Sequence, residues 1–146
     1  MFIVKKFRAS VWAAVVELIK VLSAWLKANG VVIMSHQKDE AFWAYGHKAQ
    51  DMFIDQYGEP FDGQLNYLIV IPSKGMIHAN KRALLFIHES VHVYRHMRGW
   101  YDKKNLWYEE LLAYAATFPM EALLLDWKFI FDLPRRYWWS VNLNMD

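Results

Sequence analysis

The sequence predicts an α+β fold, mostly helical, with a small sheet or hairpin in the middle of the chain. Three observations carry that reading. Trp12, Val15, Val16, Ile19, Leu22 and Leu26 recur at helical spacing, with Glu17, Lys20, Ser23 and Lys27 elsewhere on the wheel, which describes an amphipathic helix. Residues 65–71 form an apolar run with β-branched side chains, bounded by Asp62-Gly63 and by Pro72-Ser73-Lys74-Gly75, which describes a buried strand between turns. Residues 80–98 and 106–118 are two more helical stretches joined by a short loop, so helices dominate.

Taken in order, Ser10 is the expected N-cap of the first helix, and Asn29-Gly30 its stop. Lys5, Lys6 and Arg8 ahead of an apolar run imitate a secretion signal. Glu17 and Lys20 interrupt that run, no small-residue cleavage site follows cleanly, and it is too short to span a bilayer. A packing helix is therefore expected. Residues 31–34 read as a short strand. Ser35 reads as the cap of a second helix reaching Tyr57, with Gly58 as terminator. After the strand at 65–71 and its turn, residues 76–79 read as a returning strand. Asn80 is the expected cap of a helix through Arg98, ended by Gly99. A loop at 100–105 leads into the last helix, where Pro119, lacking an N–H, is expected to kink the helix or start a new one. Trp127, Phe129, Phe131, Trp138 and Trp139 crowd the end of the chain without an assignable element.

At 146 residues one domain is expected over the whole chain. The 55% hydrophobic content supplies a core, and 17% aromatic residues, with eight Trp, exceed an ordinary soluble composition. That excess suggests dense packing or an apolar surface meeting a protein assembly or a membrane, the Trp-rich ends being the candidate contacts. A formal net charge of +2 gives no nucleic-acid footprint. Cys is absent, so a transition-metal site must use His and carboxylates. The same absence fits a reducing compartment, and the cytoplasm of a bacterium or of a host cell is the expected location.

The chemistry is concentrated in His88-Glu89-Ser90-Val91-His92. On a helix His88 and His92 are neighbours on one face, so both imidazoles can reach one ion. Glu89 is rotated by about 100° from His88 and can reach a water held by that ion, the arrangement that HExxH hydrolysis requires. The motif sits among Leu84, Leu85, Phe86, Ile87, Val91 and Val93, where an unpaired His or Glu is costly to bury. A catalytic zinc site takes three protein ligands. His96 lies eight residues beyond His88, about 12 Å along a straight helix, and cannot share the ion with both histidines. The next helix carries Glu109 and Glu110. Glu110 is preferred because Ala113, three residues on, permits close helix approach, whereas Glu109 has Leu112 in that place. Tyr114, Tyr108, His78 and Arg95 are candidate donors to an oxyanion, Tyr114 being favoured because it lies one turn after Glu110. The strand at 65–71 is a candidate edge for an extended peptide.

HExxH followed by a Glu on the next helix resembles the gluzincin branch of zinc peptidases. Gly75 to Asn80 running into Leu84 to His92, with Glu110 and Ala113 three apart, resembles the ImmA/IrrE-type minimal metallopeptidases and zincin-like phage and bacterial proteins of this size, over about residues 75–121. The third His of the metzincins is replaced by Arg98. The resemblance implies a mostly helical minimal zincin. His88, His92 and Glu110 would hold zinc, Glu89 would act as general base, and the substrate would be a peptide or protein. The alternative is a catalytically silent zincin-like protein that binds or builds within a larger phage or bacterial assembly.

Overall fold

The computed structural model describes residues 2–124; Trp127, Phe129, Phe131, Trp138 and Trp139 lie outside them. The elements are α1 (Phe2–Ala28), β1 (Val31–His36), β2 (Phe42–Tyr45), α2 (Gly46–Tyr57), β3 (Tyr67–Pro72), α3 (Ala79–Met97) and α4 (Leu106–Leu124). The expected mostly helical α+β architecture is present, with the motif on α3.

The sheet has the order β1-β3-β2. β1 runs parallel to β3, with Val31 opposite Tyr67, and β2 runs antiparallel to it, with Phe42 opposite Val70. Alternation along β3 divides the interior. Ile69 and Ile71 join Val31, Phe86, Ile87, Val93, Val15 and Leu26 on one face. Leu68 and Val70 join Met34, Ala44 and Ala49 on the other. Thus α1 and α3 cover one face and α2 the other. This explains why β3 is apolar on both sides instead of alternating with polar residues.

Several expectations are corrected. α1 starts eight residues before Ser10, whose hydroxyl donates to the Lys6 carbonyl at 3.1 Å instead of capping; no Gly or Pro interrupts the segment, so nothing stops the helix earlier. The helix expected from Ser35 to Tyr57 is instead the end of β1, the strand β2 and the shorter helix α2. Phe42, Trp43 and Tyr45 favour a pleated, half-buried surface, and Gly46 (φ 61°) turns the chain, donating its N–H to the Asn66 carbonyl at 3.0 Å. The returning strand at 76–79 does not form. A lone bridge, Lys74 to Ile77, is all that remains, because both sides of β3 are already paired. α3 begins at Ala79 with His78 at the N-cap position, so Asn80 lies inside the helix and not at its cap. Pro119 lies within α4, which continues to Leu124.

The hinge between α1 and β1 sets the register of the sheet. Gly30 has φ 80°, and its carbonyl accepts from Asn66 N–H at 2.8 Å and Tyr67 N–H at 3.2 Å. A β-carbon there would come within 3.0 Å of Asn66 Nδ2. Gly30→Ala is therefore expected to lower stability by about 1–2 kcal/mol, the usual penalty for a left-handed non-glycine residue, read as a lower urea midpoint at unchanged slope.

Candidate metal centre

α3 is wedged between the sheet, α1 and α4, and its middle is buried nearly all round, including His88, Glu89, Ser90 and His92. Ser90 is accommodated by donating to the Phe86 carbonyl at 2.7 Å. α4 faces α3 through Glu109, Glu110, Ala113 and Thr117, a helical stripe that is buried throughout. Its first turn is capped by Asn105, whose Oδ1 accepts from Tyr108 N–H at 3.2 Å.

Between these helices His88 Nε2 and His92 Nε2 lie 3.3 Å apart. The Glu110 carboxylate spans both, with Oε2 3.2 Å from His88 Nε2 and Oε1 2.8 Å from His92 Nε2. The metal-binding atoms of the three residues all fall within 4.8 Å of one another. Zinc bonds of 2.0–2.1 Å at the tetrahedral angle separate neighbouring donors by about 3.3 Å, so this donor set fits the ion. Two neutral nitrogens and one carboxylate oxygen also match the chemistry of a catalytic zinc site. This is the gluzincin-type arrangement of an HExxH helix plus a downstream Glu.

Electrostatics follows from the burial. Burial acts to raise the Glu110 carboxyl, but hydrogen bonds from His88 and His92 outweigh it and hold the group down at about 2. Burial acts to lower His92, but its hydrogen bond to Glu110 and the charges of Glu89, Glu110 and Glu109 outweigh it, so His92 is raised. Glu89 is raised chiefly by burial, with Glu110 adding to the rise and the two imidazoles opposing it. The His92 ring is aimed by packing: Trp43 of β2 stacks on it at 6.2 Å and 21°, while its Nδ1 is buried without a hydrogen-bond partner among the described residues.

Glu109, adjacent to Glu110, points elsewhere. Its carboxylate accepts Arg95 Nε at 2.7 Å, an Arg95 terminal nitrogen at 3.0 Å and Asp102 N–H at 2.9 Å. Arg95 stands one turn after His92, so this clamp fixes the rotation of α4 that presents Glu110 to the histidines. His96 is turned to the sheet, with Nδ1 2.7 Å from the Tyr67 hydroxyl and its ring 4.2 Å from that of Tyr45.

Of the four proposed oxyanion donors, Tyr114 reaches the cluster, its ring edge-on to His88 at 4.5 Å. Tyr108 is exposed and lies under Arg95, Arg95 is held by Glu109, and His78 is exposed at the start of α3, 88 − 78 = 10 residues before His88. Sequence reasoning missed Tyr101, on the loop between α3 and α4. Its ring meets Trp43 at 5.2 Å and His92 at 6.0 Å. Burial, then the charges of Glu110, Glu109 and Glu89, push its hydroxyl strongly up, so it stays protonated as a donor. No spacing rule marks a loop tyrosine; only the approach of β2 and the loop to α3 reveals it.

Compared with family models, curated proteins and solved structures, the chain matches none.

Two outcomes are expected. In the metal-free protein the raised His92 contributes stability in full below its ordinary value near 6.5, and loses it as pH rises through its folded value. The depressed Glu110 contributes above its ordinary value of 4.5 and loses that as pH falls toward about 2. The pair is therefore worth most between those two ordinary values, and Glu110→Gln should cost more stability at about pH 5.5 than at about pH 8.5 in chelator-containing urea titrations. Glu109→Ala should cost about 2 kcal/mol by leaving Arg95 without its carboxylate partner and with the Trp100 carbonyl as acceptor, while elemental analysis still finds zinc, since Glu109 is not in the donor set.

Proposed function

We propose that the chain is a zinc-dependent metallopeptidase that hydrolyses peptide bonds in a peptide or protein substrate, working in the cytoplasm. One observation carries the reading: His88, His92 and Glu110 converge at zinc-ligand spacing, with the buried carboxyl of Glu89 in the same field. When bound there, zinc supplies a Lewis acid and acidifies a water it holds.

The chain's own side chains do the rest. Glu89, raised by burial, is suited to take a proton from the attacking water and hand it to the leaving amine, because a general base works best when its pKa approaches the working pH. Tyr114 and Tyr101 flank the imidazoles from α4 and from the preceding loop, and either phenol can donate to a developing oxyanion. Glu110, held well below the usual carboxylate range, keeps the negative charge that would offset part of the cation's.

The sheet favours an extended substrate. β3, the edge expected from its sequence, is the central strand, so it has no ladder to offer. β2 is an edge strand among the described residues, and its Trp43 stacks on His92. A peptide added beside β2 would lie next to the imidazoles.

The near-complete burial of His88, Glu89, His92 and Glu110, each 7% exposed or less, favours a second reading: a zincin-like protein that keeps the ion for structure or binding within an assembly. Glu89→Gln separates the two. It should retain about one zinc per chain and lose at least a hundredfold in peptide hydrolysis, the scale of general-base catalysis. His88→Ala and His92→Ala should lose the zinc itself. Equal zinc in all four proteins removes the site, and zinc-dependent turnover that survives Glu89→Gln removes the base.

A further inference from the structure

α1 has two apolar faces, and the core uses only one. Val15 and Leu26 are buried, and Val11, Trp12, Ile19 and Leu22 pack beside them against the sheet and α3. A second stripe points outward: Ile3 is 80% exposed, Phe7 55%, Leu18 44%, Val21 68% and Trp25 42%. At 100° per residue, these five positions fall within an arc of about 60°. They follow one line along the helix, whereas an ordinary packing helix presents polar residues there.

The charge on the same helix is one-sided. Lys5, Lys6, Arg8, Lys20 and Lys27 face a single acidic residue, Glu17, which is itself paired with Lys20 at 3.2 Å. Three of the five cations cluster at the first turns. The most apolar 18-residue window within Lys5–Ala28 has a mean hydropathy of 1.6, and only 11% of it is buried. Basic residues around an apolar face carrying Trp, Phe and Leu are the composition of helices that lie in a lipid interface.

We propose that α1 docks the protein onto an anionic phospholipid surface through Ile3, Phe7, Leu18, Val21 and Trp25, with Lys6 and Arg8, which flank that stripe on either side, contacting lipid phosphates. From its apolar run at 11–16 alone α1 is expected to be too short to span a bilayer, but as a whole it is long and apolar enough to cross one; crossing would strip Val15 and Leu26 from the core, where they are 5% and 0% exposed. With the inner face held by the core, the helix lies along the surface. The proposal is independent of the metal chemistry, and its test needs no turnover.

The test is sedimentation of the full chain with vesicles of phosphatidylcholine, alone or with about a quarter phosphatidylglycerol, at low and high salt. Binding should require the anionic lipid and fall with salt. Replacing Lys6 and Arg8 together by Gln should weaken it about twenty-five-fold, since each basic residue near an anionic surface is worth roughly fivefold. Val21→Glu should abolish it while circular dichroism and zinc content stay unchanged, because Val21 has no place in the core. Binding that ignores lipid charge overturns the proposal, as does binding unaffected by Val21→Glu. A dimer that binds no vesicle and dissociates on Val21→Glu assigns the stripe to a second copy. A monomer that binds no vesicle leaves it to the chain's own Trp-rich end. Both results overturn the proposal.

Discussion

The contact between Glu110 and the two imidazoles of α3 is the constraint that the rest of the molecule serves. His88, Glu89, His92 and Glu110 are four of the five ionisable side chains buried on α3 and α4 among the described residues, where each would be expensive alone. They are tolerable because they face one another, and the arrangement that satisfies them without a metal is also a tetrahedral ligand set for one. Two imidazole nitrogens 3.3 Å apart can share one proton as a hydrogen bond or hold a cation between them, and the Glu110 carboxylate faces both.

Holding that geometry requires two helices at a set distance and rotation. Ala113 sets the distance by its small size, being fully buried at the contact. The Arg95–Glu109 pair sets the rotation. It joins the turn of α3 after His92 to the residue immediately before Glu110. Adjacent carboxylates on α4 thus have opposite duties, one structural and one chemical. A helix rotation of about 100° would exchange them, so the clamp is what makes the distinction stable.

The sheet contributes from the other side. β3 carries α3 on its apolar face, and β2, paired antiparallel to it, brings Trp43 against His92. With the loop residue Tyr101, Trp43 forms an aromatic wall against the His92 imidazole. Part of the aromatic content has its place here: Trp43, Tyr45, Tyr67 and Tyr101 surround His92 and His96. Trp25 and Phe7 on the outer face of α1 belong to a separate surface.

The sequence by itself determined the local and periodic features. The HExxH spacing places two imidazoles on one helical face by backbone geometry alone. The apolar run at 65–71 reads as a buried strand, which forms at Tyr67–Pro72, and glycines at 30, 58 and 99 stop helices through left-handed conformations. Glu110 was legible over Glu109 because a small residue on the same face is a local clue to helix approach. Tertiary structure decided what depends on non-local partners. β2 was read as helix because its four residues are too few to show a period, and it becomes a strand only by pairing with β3. The strand at 76–79 vanished because both flanks of β3 were taken. The places of Tyr101, Trp43 and the Arg95–Glu109 clamp were settled by which elements meet across the core, and burial, pairing and pKa are properties of that meeting, not of residue order.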